Sequence, residues 1–153
     1  MSHISQIDLK IKSLEALRAA CARLSLEFVQ GQTTYKWYGR WLGDYPLPEG
    51  FKIEDLGKCK HAIRVPGADY EIGIVERNGE INLLWDFWYT GGLERVLGKG
   101  GGKLKQAYTI EQTKAVAHRA GYQVREKRTM MDRLRGALGM KQVEGVRLTL
   151  RRY

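Results

Sequence analysis

An α+β fold is what this chain predicts: an antiparallel sheet of about five or six strands, two main helices on one face, related to the ferredoxin-like arrangement. Three observations carry that expectation. Apolar residues alternate at Ile7, Leu9 and Ile11, and again at Val146, Leu148 and Leu150. Apolar stripes of helical period run through residues 14–24 and 103–120. Asn78-Gly79 separates two apolar runs, the strongest short hairpin signal, because both central positions of a type I′ turn need positive φ. At 153 residues and 43% hydrophobic, the chain suits one domain with one core over 1–153.

The elements follow in order. Alternation over Ile7–Ile11 predicts a half-buried strand. Ser13 caps the helix behind it, on which Leu14, Leu17, Cys21 and Leu24 share one stripe, so Cys21 reads as a small core residue. Leu26 to Val29 predicts a second short strand. Residues 30–60 form an aromatic-rich insertion, with Tyr35, Trp37, Tyr38, Trp41, Tyr45 and Phe51 among glycines, Pro46 and Pro48. Tyr35, Trp37, Tyr38 and Trp41, interleaved with Lys36 and Arg40, are candidates for stacking unpaired bases. The competing and preferred expectation is a self-packed loop whose aromatics make a satellite core.

Strands are predicted at Ala62–Val65, Tyr70–Glu76 and Ile81–Tyr89. A two-residue turn at Asn78-Gly79 sets Arg77 opposite Glu80 and so fixes the register; Ile74 opposite Leu83, Ile72 opposite Trp85 and Tyr70 opposite Phe87 then share the core face. The other face then carries Gly73 opposite Leu84, Glu71 opposite Asp86 and Asp69 opposite Trp88. Like charges so placed are destabilising unless a cation, a bound metal ion or a shared proton compensates. Arg147 and Arg151 are the expected neutralisers if the last strand joins this sheet. Structural ion pairing is the preferred reading of the outward trio Asp69, Glu71 and Asp86; with Trp88 the trio is next a candidate surface for a protein partner, and least readily a cation-dependent catalytic site.

After Gly91-Gly92 a glycine run at 98–102 leads into a helix over 103–120. Thr109, Ile110, Thr113, Val116, Ala117 and Ala120 form a charge-free arc, the expected buried face. Gly98-Lys99 resembles the end of a phosphate-binding loop, but Leu93 stands where that motif needs its first glycine and Gly100 where it needs a hydroxyl. A nucleotide-hydrolysing loop is therefore excluded. Backbone N–H groups with Lys99, Lys103 and Lys105 remain a weaker anion candidate, against the alternative of a mobile loop. Tyr122 to Arg128 is extended again, and a short inserted helix is expected over 129–140 before the last strand.

Charge is distributed unevenly. Residues 1–98 carry 12 Lys and Arg against 13 Asp and Glu, a balance of −1; residues 99–153 carry 14 against 4, a balance of +10. Arg125, Lys127, Arg128, Arg133 and Arg135, with Lys141, Arg147, Arg151 and Arg152, predict a basic patch suited to nucleic-acid phosphates. Zinc-finger, RNP and helix-turn-helix signatures do not occur, so the contact would be backbone-directed. Cys59 and His61 form a Cys-x-His pair with no second ligand pair nearby, and no metal or cofactor is expected. Two cysteines do not make a disulfide framework. Neither a secretory leader nor a membrane span is expected, and the cytoplasm is the default compartment.

The ordered set Met1-Ser-His-Ile-Ser, Tyr70-Glu-Ile-Gly, Asp86-Phe-Trp and Gln106-Ala-Tyr resembles domain-of-unknown-function family twelve-fifty-seven, small bacterial, phage and plastid proteins formerly called hypothetical chloroplast reading frame thirty-five. The resemblance covers residues 1–128 and again from 145, and departs from the family at the long aromatic segment and the inserted helix. It implies a compact α/β domain without an established activity, in a group often encoded near AAA-type ATPases. A non-enzymatic accessory protein, phage or bacterial, is the resulting expectation: an adaptor for a protein partner such as an ATPase, with a nucleic-acid-binding module as the alternative and a cation-dependent enzyme third.

Overall fold

The computed structural model describes residues 2–128 and 146–152. The chain divides into two compact units, Met1–Glu111 and Gln112–Tyr153. The first contains β1 (Ile4–Gln6), α1 (Leu14–Arg23), β2 (Glu27–Gln30), β3 (His61–Arg64), β4 (Glu71–Arg77), β5 (Glu80–Asp86), the short α2 (Leu93–Leu97) and the beginning of α3 (Gly102–Arg119). The second contains the end of α3 with β6 (Tyr122–Arg128) and β7 (Val146–Arg152). The inserted helix predicted over 129–140 lies outside the described residues.

Five strands of the first unit form one antiparallel sheet in the order β1-β5-β4-β3-β2, as the α+β expectation requires. The turn at its centre sets the register as predicted: Asn78 and Gly79 take φ of 52° and 75°, and pairing runs from Arg77↔Glu80 through Ile74↔Leu83 to Gly73↔Leu84. Ser13 caps α1 as expected, its Oγ accepting from Ala16 N at 3.2 Å. Strand β1 falls earlier than the Ile7–Ile11 alternation suggests. Ile7 N still donates to Leu83 O at 2.8 Å and Ile11 makes an isolated bridge to Ile81, so the segment tracks β5 without a continuous ladder.

One sheet face buries Ile63, Ile72, Ile74, Leu83 and Trp85 against Leu17, Ala20 and Cys21 of α1 and Leu104, Ala107 and Tyr108 of α3. Fully burying such a side chain contributes about 1.5–3 kcal/mol relative to leaving it exposed. Trp85 is admitted because its indole N–H donates to Ser5 Oγ at 3.1 Å. The predicted buried arc of α3 is corrected: Ile110 and Ala117 are interior, but Thr109, Thr113, Val116 and Ala120 are exposed. The arc counted residues without charge, whereas the sheet takes the bulkier Leu104 and Tyr108. The Tyr108 hydroxyl accepts from Lys12 N at 2.7 Å, and Thr109 satisfies its own hydroxyl on Lys105 O.

The opposite sheet face is also covered. Tyr35 and Phe51 from the aromatic segment pack on Ala62 and Leu84, with Trp37, Cys59 and Val75 around them. Gly73 is what permits this: a Cβ there would lie 2.2 Å from the Tyr35 ring. Arg77 closes the segment, holding Gly50 O and Asp55 Oδ2 and lying 4.2 Å over the Phe51 ring. The preferred satellite-core reading of residues 30–60 therefore holds.

Strands β6 and β7 form a separate two-stranded antiparallel sheet, with Val124↔Leu150 and Arg125↔Thr149 at its centre. No helix among the described residues is long and apolar enough to cross a membrane.

Candidate functional site

The acidic trio is not an outward surface. Asp86 is 0% exposed and Glu71 5%; of the three only Asp69 is exposed, and Trp88 is half-buried against His3, ring centroids 4.5 Å apart. Outward placement followed from strand alternation alone, and the aromatic segment, folding over that face, reverses it. Nor does the β4–β5 ladder continue to Glu71 and Asp86. Glu71 donates its N–H to Lys36 O, Asp69 and Tyr70 donate theirs to Gly91 O, and Phe87 donates to His3 O. The two strands diverge, each binding a different segment, so the predicted pairs Ile72–Trp85 through Asp69–Trp88 do not form part of the ladder.

Each buried acid has its own set of donors. Asp86 accepts three backbone N–H groups, from His3 (2.9 Å), Tyr38 (3.1 Å) and Trp88 (3.1 Å). Glu71 accepts from Lys36 N (3.0 Å) and Gln32 Nε2 (2.9 Å) and pairs with Arg64 Nε at 3.2 Å. Arg64 faces Glu71 across β3 and β4. The cation that compensates is therefore Arg64, not Arg147 or Arg151, which belong to the other sheet. Buried carboxylates with such partners are structural clasps. Asp86 ties the chain start and the aromatic segment to the end of β5. The one signal that could have found Arg64 was its place in the strand beside Glu71.

The stacking candidates divide. Tyr35 is 3% exposed, its phenol pushed up to about 12 by burial; Trp37 and Trp41 are half-buried, and the Trp41 indole donates to Tyr45 O. Tyr38 alone is broadly exposed. A row of rings offered to unpaired bases is therefore not present. The glycine run is a tight connector between α2 and α3. Gly98, Gly100 and Gly101 all take positive φ, and Gly101 lies against Ile7 and Trp85. Gly100 N donates to Glu94 Oε2 at 3.2 Å, so a carboxylate already sits where a phosphate was expected. Lys99 and Lys103 are exposed and Lys105 half-buried around it. Sequence reasoning overlooked Glu94, whose spacing from the run was the available signal.

Cys59 Sγ donates to Gln32 O, and burial raises its thiol to about 11. His61 Nδ1 accepts from Gly31 N at 2.9 Å. Both are engaged in closing β2 and β3, and among the described residues no group of three His, Cys, Asp or Glu could hold a metal ion.

What stays presented is the β6–β7 ribbon. Along β6, Gln123 and Arg125 are exposed while Tyr122, Val124 and Glu126 are half-buried, alternating as strand geometry prescribes; on β7 the exposure is not one-sided, since Leu150 and Arg152 are exposed as well. Register places Gln123 opposite Arg151 and Arg125 opposite Thr149, and Thr149 and Arg151 are exposed too. Lys127↔Arg147 is the next pair of the same parity in the ladder. Glu126, the only acid in either strand, is on the other face, bonded to Lys114 Nζ at 3.0 Å. One ribbon face thus carries cations without an acid among its described residues. Of the basic residues predicted, Arg125 is placed on that face, Lys127 and Arg128 are placed in the strand, and Arg133 and Arg135 lie outside the described residues. Comparison with protein-family models, with curated proteins and with solved structures finds no match to this chain.

Proposed function

We propose that the protein acts by binding, not by chemistry, and that its ligand is nucleic acid held through phosphates by the second unit. The observation that carries this is the ribbon face on which Gln123, Arg125, Thr149 and Arg151 are exposed together. Gln112–Tyr153 contains eleven Lys and Arg against three Asp and Glu, +8 of the chain's +9, so its field attracts polyanions at long range. Of the acidic surface expected to meet a protein partner, Glu71 and Asp86 are interior, and an AAA-type ATPase partner rests only on the family resemblance.

Fluorescence anisotropy with labelled DNA and RNA tests this. Binding should weaken steeply with salt, and Arg125→Ala with Arg151→Ala should weaken it at every salt concentration. Failure to bind either polymer at low salt removes the reading.

A further inference from the structure

We infer that the ligand is duplex DNA of B form, and that the β6–β7 ribbon lies in its major groove with Gln123, Arg125, Thr149 and Arg151 toward the base edges. This rests on the nucleic-acid reading above and narrows it. Shape comes first. Seven residue pairs make a two-stranded ribbon about 20 Å long, and a major groove about 12 Å wide admits a ribbon of that kind. Chemistry comes second. The exposed residues are of the types that address base edges: Arg to guanine, Gln to adenine, Thr to either a base edge or a thymine methyl. Among the described residues neither arginine is paired with a carboxylate, and the face's flanking register pair, Lys127↔Arg147, adds charge in sequence where the groove walls carry phosphates.

The alternatives fail on the same face. Binding of single strands without sequence preference uses aromatic rings on which bases stack, and among the described residues no aromatic one occupies this face; Tyr35 and Phe51 of the ring-rich segment at 30–60 are folded into a core of their own. Duplex RNA presents a deep, narrow major groove that side chains cannot read. B-form DNA is the polymer whose groove fits both the ribbon and its residues.

The test uses the full chain and four probes of one sequence set: a 24-base-pair DNA duplex, its single strand, the corresponding RNA duplex, and a DNA duplex whose cytosines carry glucosylated hydroxymethyl groups that fill the major groove. The plain DNA duplex should bind at least about tenfold more tightly than each of the other three, and a minor-groove ligand should not displace the protein. Arg125→Lys with Arg151→Lys should keep the salt slope but lose most of the preference for the plain duplex, since lysine keeps charge without the bidentate fork. Equal binding to all four probes, or displacement by the minor-groove ligand, overturns the groove assignment while leaving phosphate binding intact. No binding to any probe overturns both. Far-ultraviolet circular dichroism of the lysine variant, expected unchanged because both positions are exposed, separates a lost contact from a lost fold.

Discussion

Two sets of charges in this molecule behave in opposite ways. The acids of the first unit, Glu71 and Asp86, are interior and fully engaged, by Arg64 and Gln32 side chains and by backbone N–H groups. The cations of the second, Arg125 and Arg151, are exposed on a ribbon whose one acid faces the other way. A charge taken out of water must be matched inside the protein, whereas an exposed one is stabilised by solvent and stays available to a partner. Charges of the first kind hold the fold; those of the second are the ones that can bind.

The most severe way to break that contrast is to remove Asp86. Asp86→Ala strands three backbone donors, each costing about 1–3 kcal/mol when left unpaired, so urea denaturation should show a loss of at least about 3 kcal/mol. Asp86→Asn should lose less, because one oxygen remains to accept. A gain in stability from either change would mean that like-charge repulsion, not clasping, governs the site.

Next in size is Gly73→Ala, which drives a methyl into the Tyr35 ring. Overpacking of this kind costs about 1–3 kcal/mol. Tyr35→Leu in the same chain should recover part of it, and a double-mutant cycle measures the coupling. Strict additivity would show that the aromatic segment does not press on the sheet there.

A smaller effect is expected from His61. Burial, then Lys60 and Arg18 nearby, hold its pKa below the usual value near 6.5, and Gly31 N–H needs its Nδ1 unprotonated. The unfolded chain takes up this proton as pH falls through about 6.5 while the folded chain resists. The contribution is therefore complete above that pH and is lost on acidification through the lower, folded value. His61→Gln should flatten the fall in thermal midpoint between pH 7 and pH 5.5; an unchanged slope would discard this account.

Smallest in stability are Arg125→Ala and Arg151→Ala. As exposed substitutions they should stay within about 0.5 kcal/mol of the parent in denaturation, while nucleic-acid binding falls. Destabilisation without lost binding would invert the contrast between the two sets of charges.

Legibility followed the range of the interaction. The Asn78-Gly79 turn, the Ser13 cap, the core place of Cys21 and the α+β class depend on neighbours a few residues apart, and each was readable. The α3 stripe was only half readable, because which arc of an amphipathic helix is buried depends on the size of the groove it meets. The candidate site fared worst on its acidic side. Alternation assigns Glu71 and Asp86 to one face of the sheet but carries no term for what lies on that face, and the cover comes from Tyr35 to Phe51, distant along the chain. The basic side was legible as composition, though not as geometry.

The amino-acid order alone determined the short-range features: a turn that demands positive φ, a hydroxyl placed to cap a helix, and +8 of charge gathered in the last 42 residues. Folding decided which charges are covered. Asp86 meets Tyr38 across 48 residues and His3 across 83, and contacts at such separation are fixed by packing of the whole unit, which no local pattern encodes.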